Sequence, residues 1–453
     1  MEGKKVTLED IVSLAKRRVF IYPSSEIYGG LSGVYDYGPL GVKLKHNIQN
    51  LWWNSFVSSW DDMYPMDSAI LGPEKVFEAS GHLAGFQDPL VVCSNCHAQF
   101  RADHLEGNKC PNCGKTGTLG KPRQFNMMLK TEMGAVEGEG QAAYLRPETA
   151  QGIFTNFKNV LDTFSPDMPF GIAQIGKSFR NEISPRDFLF RMREMEMMEI
   201  EYFVHPDKWQ EAFEEWRVGV ATFFKKVGLP DSMVHEHEIE ASERAHYSKR
   251  TIDFEFDYPF GRKELMGLAY RGDYDLQNHQ KVSGTSMEYQ PKDGSKAFIP
   301  HVVEPSFGLD RLVLAILIAA YSEDEQGGEK RTFLKLPAEI APVKVAVFPL
   351  LKNKPELVKK AREVYGLLRK EIMGVSPSEK SGVMLGPRNS LSEVAWDDNG
   401  NIGKRYRRQD EIGTPYCVTV DFDSLQNDDV TVRDRDSTLQ ERVKVADLIQ
   451  ELV

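Results

Sequence analysis

The chain is 453 residues long, 41% apolar and 27% charged, the composition of an ordinary globular protein with room for a large core and two domains or more. Its formal net charge of −11 by itself argues against nucleic acid as a partner, and no apolar run is long enough to cross a bilayer. The opening MEGKKVTLEDIVSLAKRR has no apolar signal core, so a cytoplasmic protein with reduced thiols is expected.

In chain order, residues 7–18 carry a helical pattern, and residues 22–41, with IYGGLSGVYDYGPLG, read as loops and short strands. A helix is expected over 42–59, then a strand ending at Leu71-Gly72-Pro73. The tryptophans Trp52, Trp53 and Trp60 suit either the core or an apolar contact with a second copy. Next come two knuckles, Cys93-x-x-Cys96 and Cys110-x-x-Cys113, in a stretch over about 88–121 that looks like an insertion. Paired CxxC turns suit tetrahedral thiolate ligation of a structural zinc, with metal-free thiols as the alternative. The fifth cysteine, Cys417, lies in the apolar run YCVTV and reads as a buried strand residue.

After LRPETAQGIFTNF, the stretch FRNEISPRDFLFRMREMEMMEIEYF reads as two antiparallel strands joined by a tight turn at Ser184-Pro185-Arg186-Asp187. Period-2 alternation puts Gln174, Ser178, Arg180 and Glu182 on one face of the first strand. On the second, Arg191, Arg193, Glu199 and Glu201 share a face with Met195 and Met197. Such a face is either solvated or the floor of a site that binds both anionic and cationic groups. A helical insertion over 207–250 follows, then strands at TIDFEFDYPF and ELMGLAYRGDYDL, and a strand that runs into a buried helix in HVVEPSFGLDRLVLAILIAAY. YSEDEQGGEKR reads as a loop or linker. From about residue 341 strands and helices alternate, as in a small α/β domain. The cluster Lys404-Arg405-Tyr406-Arg407-Arg408 within it is a phosphate-contact candidate or a solvated charge run. There is no phosphate-binding GxxxxGK[ST] loop and no GxGxxG turn, so any ATP must be held another way.

FRNE with RMREM resembles motif 2 of the class II aminoacyl-tRNA synthetases, SFGLDR resembles motif 3, and the helix and strand ending at Pro73 resemble motif 1. YDYGPLG, ASGH, LRPETAQGIF, FRNEISPR, RGDYDL, EPSFGLDR and GKRYRRQDEIGTP together resemble the homodimeric type of glycyl-tRNA synthetase, over nearly the whole chain. That implies an α+β protein: a class II catalytic domain over 1–335, with an antiparallel sheet flanked by helices, and an α/β anticodon-binding domain over 341–453. The cysteine module would be a zinc-ribbon-like insertion. It implies a homodimer that joins glycine to tRNA(Gly) with ATP as substrate and Mg2+ as cofactor.

By the same resemblance ATP would lie along Arg180-Asn181-Glu182, Phe190-Arg191-Met192-Arg193-Glu194-Met195, Glu264-Leu265 and Gly308-Leu309-Asp310-Arg311. Glycine would meet Arg101, Glu148, Met195-Glu196-Met197-Met198-Glu199 and Glu304-Pro305-Ser306-Phe307-Gly308. Arg180 would bridge the glycine carboxylate and the α-phosphate, Arg191 would contact the triphosphate, and Arg311 would hold the γ-phosphate. Glu264 and Glu304 would stand near the metal. Glu148, Glu199 and Glu304, with Ser306, would hold the ammonium, so Arg180, Arg311 and Glu304 are the expected catalytic residues. Lys404, Arg405, Arg407 and Arg408 would contact tRNA. Where the family usually has Phe beneath the adenine, Met195 stands. Glycine offers no side chain to grip, so selectivity must come from a tight ammonium pocket without room for a Cβ.

Overall fold

The computed structural model describes residues 6–136, 138–245, 247–373 and 393–452; the leader reading of the first five residues lies outside it. Its centre is a seven-stranded sheet built from β1 (Met63–Pro65), β2 (Phe170–Phe179), β3 (Glu194–Val204), β4 (Val234–Glu238), β5 (Arg250–Tyr258), β6 (Gly261–Gly272) and β7 (His301–Gly308). The spatial order is β4-β5-β6-β7-β3-β2-β1, and every neighbouring pair is antiparallel except β1 with β2.

Five helices flank it: α1 (Pro39–Trp53), α2 (Ala150–Phe164), α3 (Trp209–Lys226), α4 (Tyr274–Ser283) and α5 (Leu309–Ala320). Alternation along the strands separates two faces. Met198, Ile200, Tyr202, Met266, Leu268, Val303 and Phe307 join a core with side chains of α1, α3 and α5. The other face carries Gln174, Ser178, Met195, Met197, Glu199, Glu304 and Ser306. Only at one end do α2 and α4 cover it, where Phe154, Phe157 and Leu276 pack on Phe170, Ile172, Phe203 and Val302. The rest of that face is left open.

Several expectations change here. Trp52 is fully buried against Phe56 and Phe307, and Trp60 stacks on Trp216 with ring centres 5.0 Å apart, so these tryptophans belong to the core. The segment 207–250 is no separate helical insertion: α3 fills the central core through Phe213, Trp216, Val220 and Phe223, and β4 extends the sheet. Between β2 and β3 the connection is not a four-residue turn but a loop over 180–193, closed at its neck by Arg180 N–H donating to the Arg193 carbonyl at 2.9 Å. Arg180, Arg191 and Arg193 therefore sit on a loop rather than on strands.

The polar stretch read as a linker is a hairpin, Tyr321–Gln326 with Glu329–Leu334, turning at Gly327 (φ +60°) and Gly328 (φ +80°). Its charges pair across the strands, Asp324 opposite Arg331 and Glu325 opposite Lys330, which makes a polar sequence a good ribbon.

The C-terminal unit has strands β8 (Val343–Pro349), β9 (Glu393–Trp396), β10 (Tyr416–Val420), β11 (Asp429–Asp434) and β12 (Gln440–Lys444) in the order β9-β8-β10-β11-β12. The pairs β9-β8 and β8-β10 are parallel. Helix α6 (Pro355–Met373) packs Leu357, Ala361, Val364 and Leu368 against Val345, Val347, Val418 and Val420. Cys417 is buried in β10. The hairpin joins the two units: fully buried Arg331 reaches Asp410 at 3.4 Å and the Arg435 carbonyl at 2.7 Å, and Arg433 reaches Asp410 at 2.8 Å. Among the described residues no helix is long and apolar enough to cross a membrane.

Candidate active site

The open face of the sheet floors a cleft of about 420 Å³ whose two ends carry opposite charge. At the end nearest α2 and α4 lies a buried acidic cluster. One carboxylate oxygen of Glu199 accepts from the backbone N–H groups of Thr149 at 2.6 Å and Ala150 at 3.1 Å, and from the Thr149 hydroxyl; the other accepts from the Ser306 hydroxyl at 2.6 Å. Those amides open α2, where the helix favours a negative charge. Glu304 accepts from Arg271 at 2.8 Å, and Arg271 also donates twice to Asp275, at 2.8 and 2.9 Å. Glu148 meets Gln151 at 3.0 Å, His82 at 3.5 Å and Arg271 at 3.9 Å.

One buried guanidinium is thus shared among three carboxylates. Burial would raise the Glu148 carboxyl, but His82, Arg271 and Gln151 hold it far below the usual range. Glu304 is pushed up to about 7 by burial and by Glu199 and Glu148, against the pull of Arg271. Behind them Glu201 is fully buried, and neither of its oxygens has a hydrogen-bond partner among the described residues. Burial, then Glu304, with Glu199 and Asp275 adding to it, lifts it well above the normal carboxyl value, so it stands as a neutral acid. The cluster holds more carboxylates than cations, and a small cation entering from the cleft would relieve that excess.

The opposite end is cationic. Arg180 donates from Nε to the Pro147 carbonyl at 3.1 Å and lies over the Phe86 ring, with no salt bridge among the described residues. Among the described residues Arg191 has one distant ion-pair partner, Glu182 at 3.8 Å. Arg311, on the first turn of α5, lies over the Phe190 ring, donates to the Phe190 carbonyl at 3.2 Å and pairs with Glu264 at 3.0 Å. The carboxylate of its neighbour Asp310 accepts from the Tyr37 hydroxyl at 2.6 Å and the Glu196 N–H at 2.7 Å. A bulge at Leu265 brings Glu264 to the same side of β6 as Gly267, Ala269 and Arg271. Asp253 lines the cleft beside Glu264, its carboxyl raised to about 7 by burial and by Glu264.

The expected residues divide by strand parity. Met195, Met197, Glu199, Glu304, Ser306 and Gly308 line the cleft, as do Glu148, Arg180, Glu182, Phe190, Arg191, Met192, Glu264, Leu265, Asp310 and Arg311. Met198, Phe307 and Leu309 point into the core, and Pro305, which alternates with Glu304 and Ser306, is buried with them. The Glu196 side chain binds Lys45 of α1 at 2.6 Å, on the far side of the sheet. Arg193 braces the loop through the Glu182 and Ser32 carbonyls. The Asn181 N–H donates to the Met127 carbonyl at 2.8 Å, and Glu194 pairs with Lys177 at 2.9 Å. Arg101 does not reach the cleft: it is held between Asp88 at 2.9 Å and Asp103 at 2.6 Å.

The C-terminal cluster also divides. It lies on α7 (Ile402–Ile412), where Arg405 is 1% exposed and donates to the carbonyls of Pro349, Asp398 and Gly400. Arg405 cannot touch a polyanion. Arg408 forms a bidentate pair with Asp397, Arg407 has among the described residues a distant partner in Glu329 at 3.9 Å, and Lys404 is exposed. Missed at the sequence level were Arg271 and Asp275, which RGDYDL spaces one helical turn apart, and Asp253 and Tyr247, which carried no motif.

The four cysteine sulfurs lie within 4.8 Å of one another, Cys93 to Cys113 at 3.8 Å and Cys96 to Cys110 at 3.7 Å. Those separations are far too long for disulfides. A tetrahedral thiolate site with Zn–S bonds of about 2.3 Å has edges of about 3.8 Å, so the cluster is shaped to hold such a metal. Matching turns set it, with the His97 N–H donating to the Cys93 carbonyl and the Gly114 N–H to the Cys110 carbonyl, both at 2.9 Å.

A family model described as the tRNA synthetase class II core domain (G, H, P, S and T) matches residues 130–320, and one described as an anticodon binding domain matches 344–453. A glycine–tRNA ligase of Borrelia hermsii is 46% identical over 450 residues, covering 98% of this chain and 96% of the relative. A glycine–tRNA ligase of Streptomyces coelicolor is 46% identical over 465 residues, covering 97% and 96%. The solved structure of a Giardia lamblia prolyl-tRNA synthetase in complex with prolyl-adenylate shares the fold with a TM-score of 0.69 at 15% identity, covering 98% of this chain and 76% of that one.

Proposed function

This chain belongs to the glycine–tRNA ligases, within the class II aminoacyl-tRNA synthetases, and we propose that its sheet-floored cleft is where glycine is activated. The protein is a class II synthetase core with an anticodon-binding domain. It converts glycine and ATP to glycyl-adenylate and pyrophosphate, then passes the glycyl group to the 3′ end of tRNA(Gly). In the first step a glycine carboxylate oxygen attacks the α-phosphorus and pyrophosphate leaves. In the second a hydroxyl of the terminal ribose attacks the glycyl carbonyl and AMP leaves. No side chain of the enzyme becomes bonded to substrate.

One observation supports the assignment of roles: a single cleft is acidic at one end and cationic at the other. The first step brings two anions together, so fixed cations must stand where negative charge builds up. Arg180, at the cationic end and without a salt bridge among the described residues, would span the glycine carboxylate and the α-phosphate. Arg191 and Arg311 take the outer phosphates, and bidentate guanidinium groups suit phosphate oxygens well. Arg311 would exchange Glu264 for phosphate as ATP enters. The ammonium sits among Glu148, Glu304 and Ser306, while Glu199 holds Ser306 and α2 in place. The thioether of Met195 supports the adenine.

Magnesium fits the triphosphate end, where Glu264 and Asp253 offer hard oxygen atoms whose mutual repulsion a dication would relieve. Bound there, it would screen phosphate charge. Glu304 falls outside that site. Its partner across the sheet is Ala269, five residues along β6 from Glu264, or roughly 15 Å of strand. Zinc in the cysteine cluster would be structural, ordering a module too small to have a core of its own. Lys404, Arg407 and Arg408 remain the phosphate-contact candidates of α7, with Arg408 costing its pair with Asp397.

A homodimer, and work in the cytoplasm beside tRNA, complete the reading. Support for the dimer now comes from the exposed apolar residues Ile27 (88%), Tyr28 (87%) and Leu31 (60%) rather than from the tryptophans; a monomer by sedimentation at full activity would refute it. Arg180→Ala should abolish glycine-dependent pyrophosphate exchange in a protein that melts normally. Undiminished exchange would remove Arg180 from the chemistry.

A further inference from the structure

Glycine selectivity needs something to occupy the space above the substrate's α-carbon, and none of the charged groups described so far does that. The floor cannot. Gly267 and Ala269 of β6 and Ser306 of β7 are the residues facing the cleft there, paired Gly267 with Ser306 and Ala269 with Glu304, so the sheet presents small side chains beside the acidic cluster. A cavity with that floor alone would admit alanine or serine.

The opposite wall is Tyr247. It comes from the connection between β4 and β5, of which Ile239, Glu243, Arg244, Ala245 and Tyr247 line the cleft. Its ring centre lies 3.8 Å from the central carbon of the Arg271 guanidinium, and the Phe154 ring centre lies 5.2 Å from the same carbon. Glu304, Glu148 and Asp275 all act on its phenol, which burial raises first, so the ring stands among the carboxylates assigned to the ammonium. The connection is held at several points. The Ile239 N–H donates to the Thr251 carbonyl at 2.9 Å, Arg244 to the Ile239 carbonyl at 2.8 Å, the Ser248 hydroxyl to the Arg250 carbonyl at 2.8 Å, and the Lys249 N–H to the Tyr270 carbonyl at 2.8 Å. A wall that must reject one methyl group has to be rigid, because a loose one would yield.

We propose that Tyr247 is a specificity-determining residue for the amino acid: its ring, seated on Arg271 above the small floor of Gly267, Ala269 and Ser306, fills the space that a Cβ on the substrate would need. The inference rests on the acidic end being the ammonium site. Arg271 then has two tasks, sharing its charge among Glu304, Asp275 and Glu148, and carrying the ring at a fixed height. A cation–π contact seats the ring on the guanidinium.

The test is the ratio of kcat/KM for glycine to kcat/KM for alanine in amino-acid-dependent pyrophosphate exchange, measured on Tyr247→Phe, Tyr247→Leu, Tyr247→Ser and Tyr247→Ala proteins that melt cooperatively. Rejection of one methyl group is worth about 10–200-fold. Tyr247→Phe keeps the ring and should keep the ratio. The ratio should fall as the side chain shrinks, by at least about tenfold in Tyr247→Ala or, should that variant not fold, in Tyr247→Ser. If Tyr247 only shields Arg271, glycine activity will fall through the series while the ratio stays constant, and that result overturns the proposal. A wild-type protein without glycine-dependent exchange would instead overturn the active-site reading beneath it.

Discussion

Glutamate 304 should make glycine recognition strongly pH-dependent. Its carboxyl is pushed up to about 7 in the free protein, first by burial and then by Glu199 and Glu148, with Arg271 opposing. An ammonium needs the ionised form. One unit below the folded pKa only about a tenth of the sites are ionised, so the KM for glycine should rise about tenfold between about pH 8 and pH 6. Binding at about pH 6 should release close to one proton, seen as a buffer-dependent heat in calorimetry. Folding feels the same group with a definite sign. An acid whose folded pKa lies above its unfolded value costs nothing below about pH 4.5, and its penalty grows as pH rises and is complete above about 7. Two and a half units correspond to about 3 kcal/mol, which bound glycine should recover. Glu304→Gln should raise the KM for glycine roughly 10- to 100-fold, the worth of a charged hydrogen bond, and flatten its pH dependence. A KM that is constant from about pH 6 to 8 in the wild type, or the same slope in Glu304→Gln, would refute this reasoning.

Other outcomes follow from particular contacts. Arg311→Ala should lower exchange by a factor of about 100 or more in a folded protein, by comparison with the loss of one transition-state donor; near-normal exchange would exclude Arg311. Arg405→Ala should destabilise the C-terminal unit by about 1–3 kcal/mol, because it strands the buried carbonyl of Pro349 and removes two further bonds to Asp398 and Gly400, as a thermal melt would report. Lys404→Ala with Arg407→Ala should instead weaken tRNA charging in a salt-dependent way and spare pyrophosphate exchange; equal loss of both activities would contradict the assignment. Metal analysis should find about one zinc per chain, lost in Cys110→Ser; a metal-free wild type purified without chelators would exclude the site.

The order of the chain was legible in its sequence because strands, turns and knuckles are local features, and so was the charged hairpin that floors the cleft. Contiguous motifs were less informative than they looked. Of Met195 to Glu199 only alternate side chains can share a face, so Glu196 serves Lys45 and Met198 serves the core. Arg405 drops out of the basic cluster for the helical version of the same reason: at one position per turn a cationic side chain faces inward, and Arg405 found three carbonyls there. The segment 321–331 was read as a loop or linker on polarity alone, although its cross-strand charges pair. Arg271 was invisible because nothing in a sequence says that an arginine will be fully buried; only the carboxylates gathered around it by β6, β7 and α4 do. Tyr247 comes from a connection with no periodicity to read.

Glycine-dependent exchange of labelled pyrophosphate into ATP, run on the purified protein with each common amino acid in turn, tests the central claim most directly. Glycine should support rapid exchange, alanine and serine should support almost none, and the exchange should vanish without ATP-bound divalent cation. Exchange that is absent with glycine in a folded protein, or equally strong with alanine, would contradict the account.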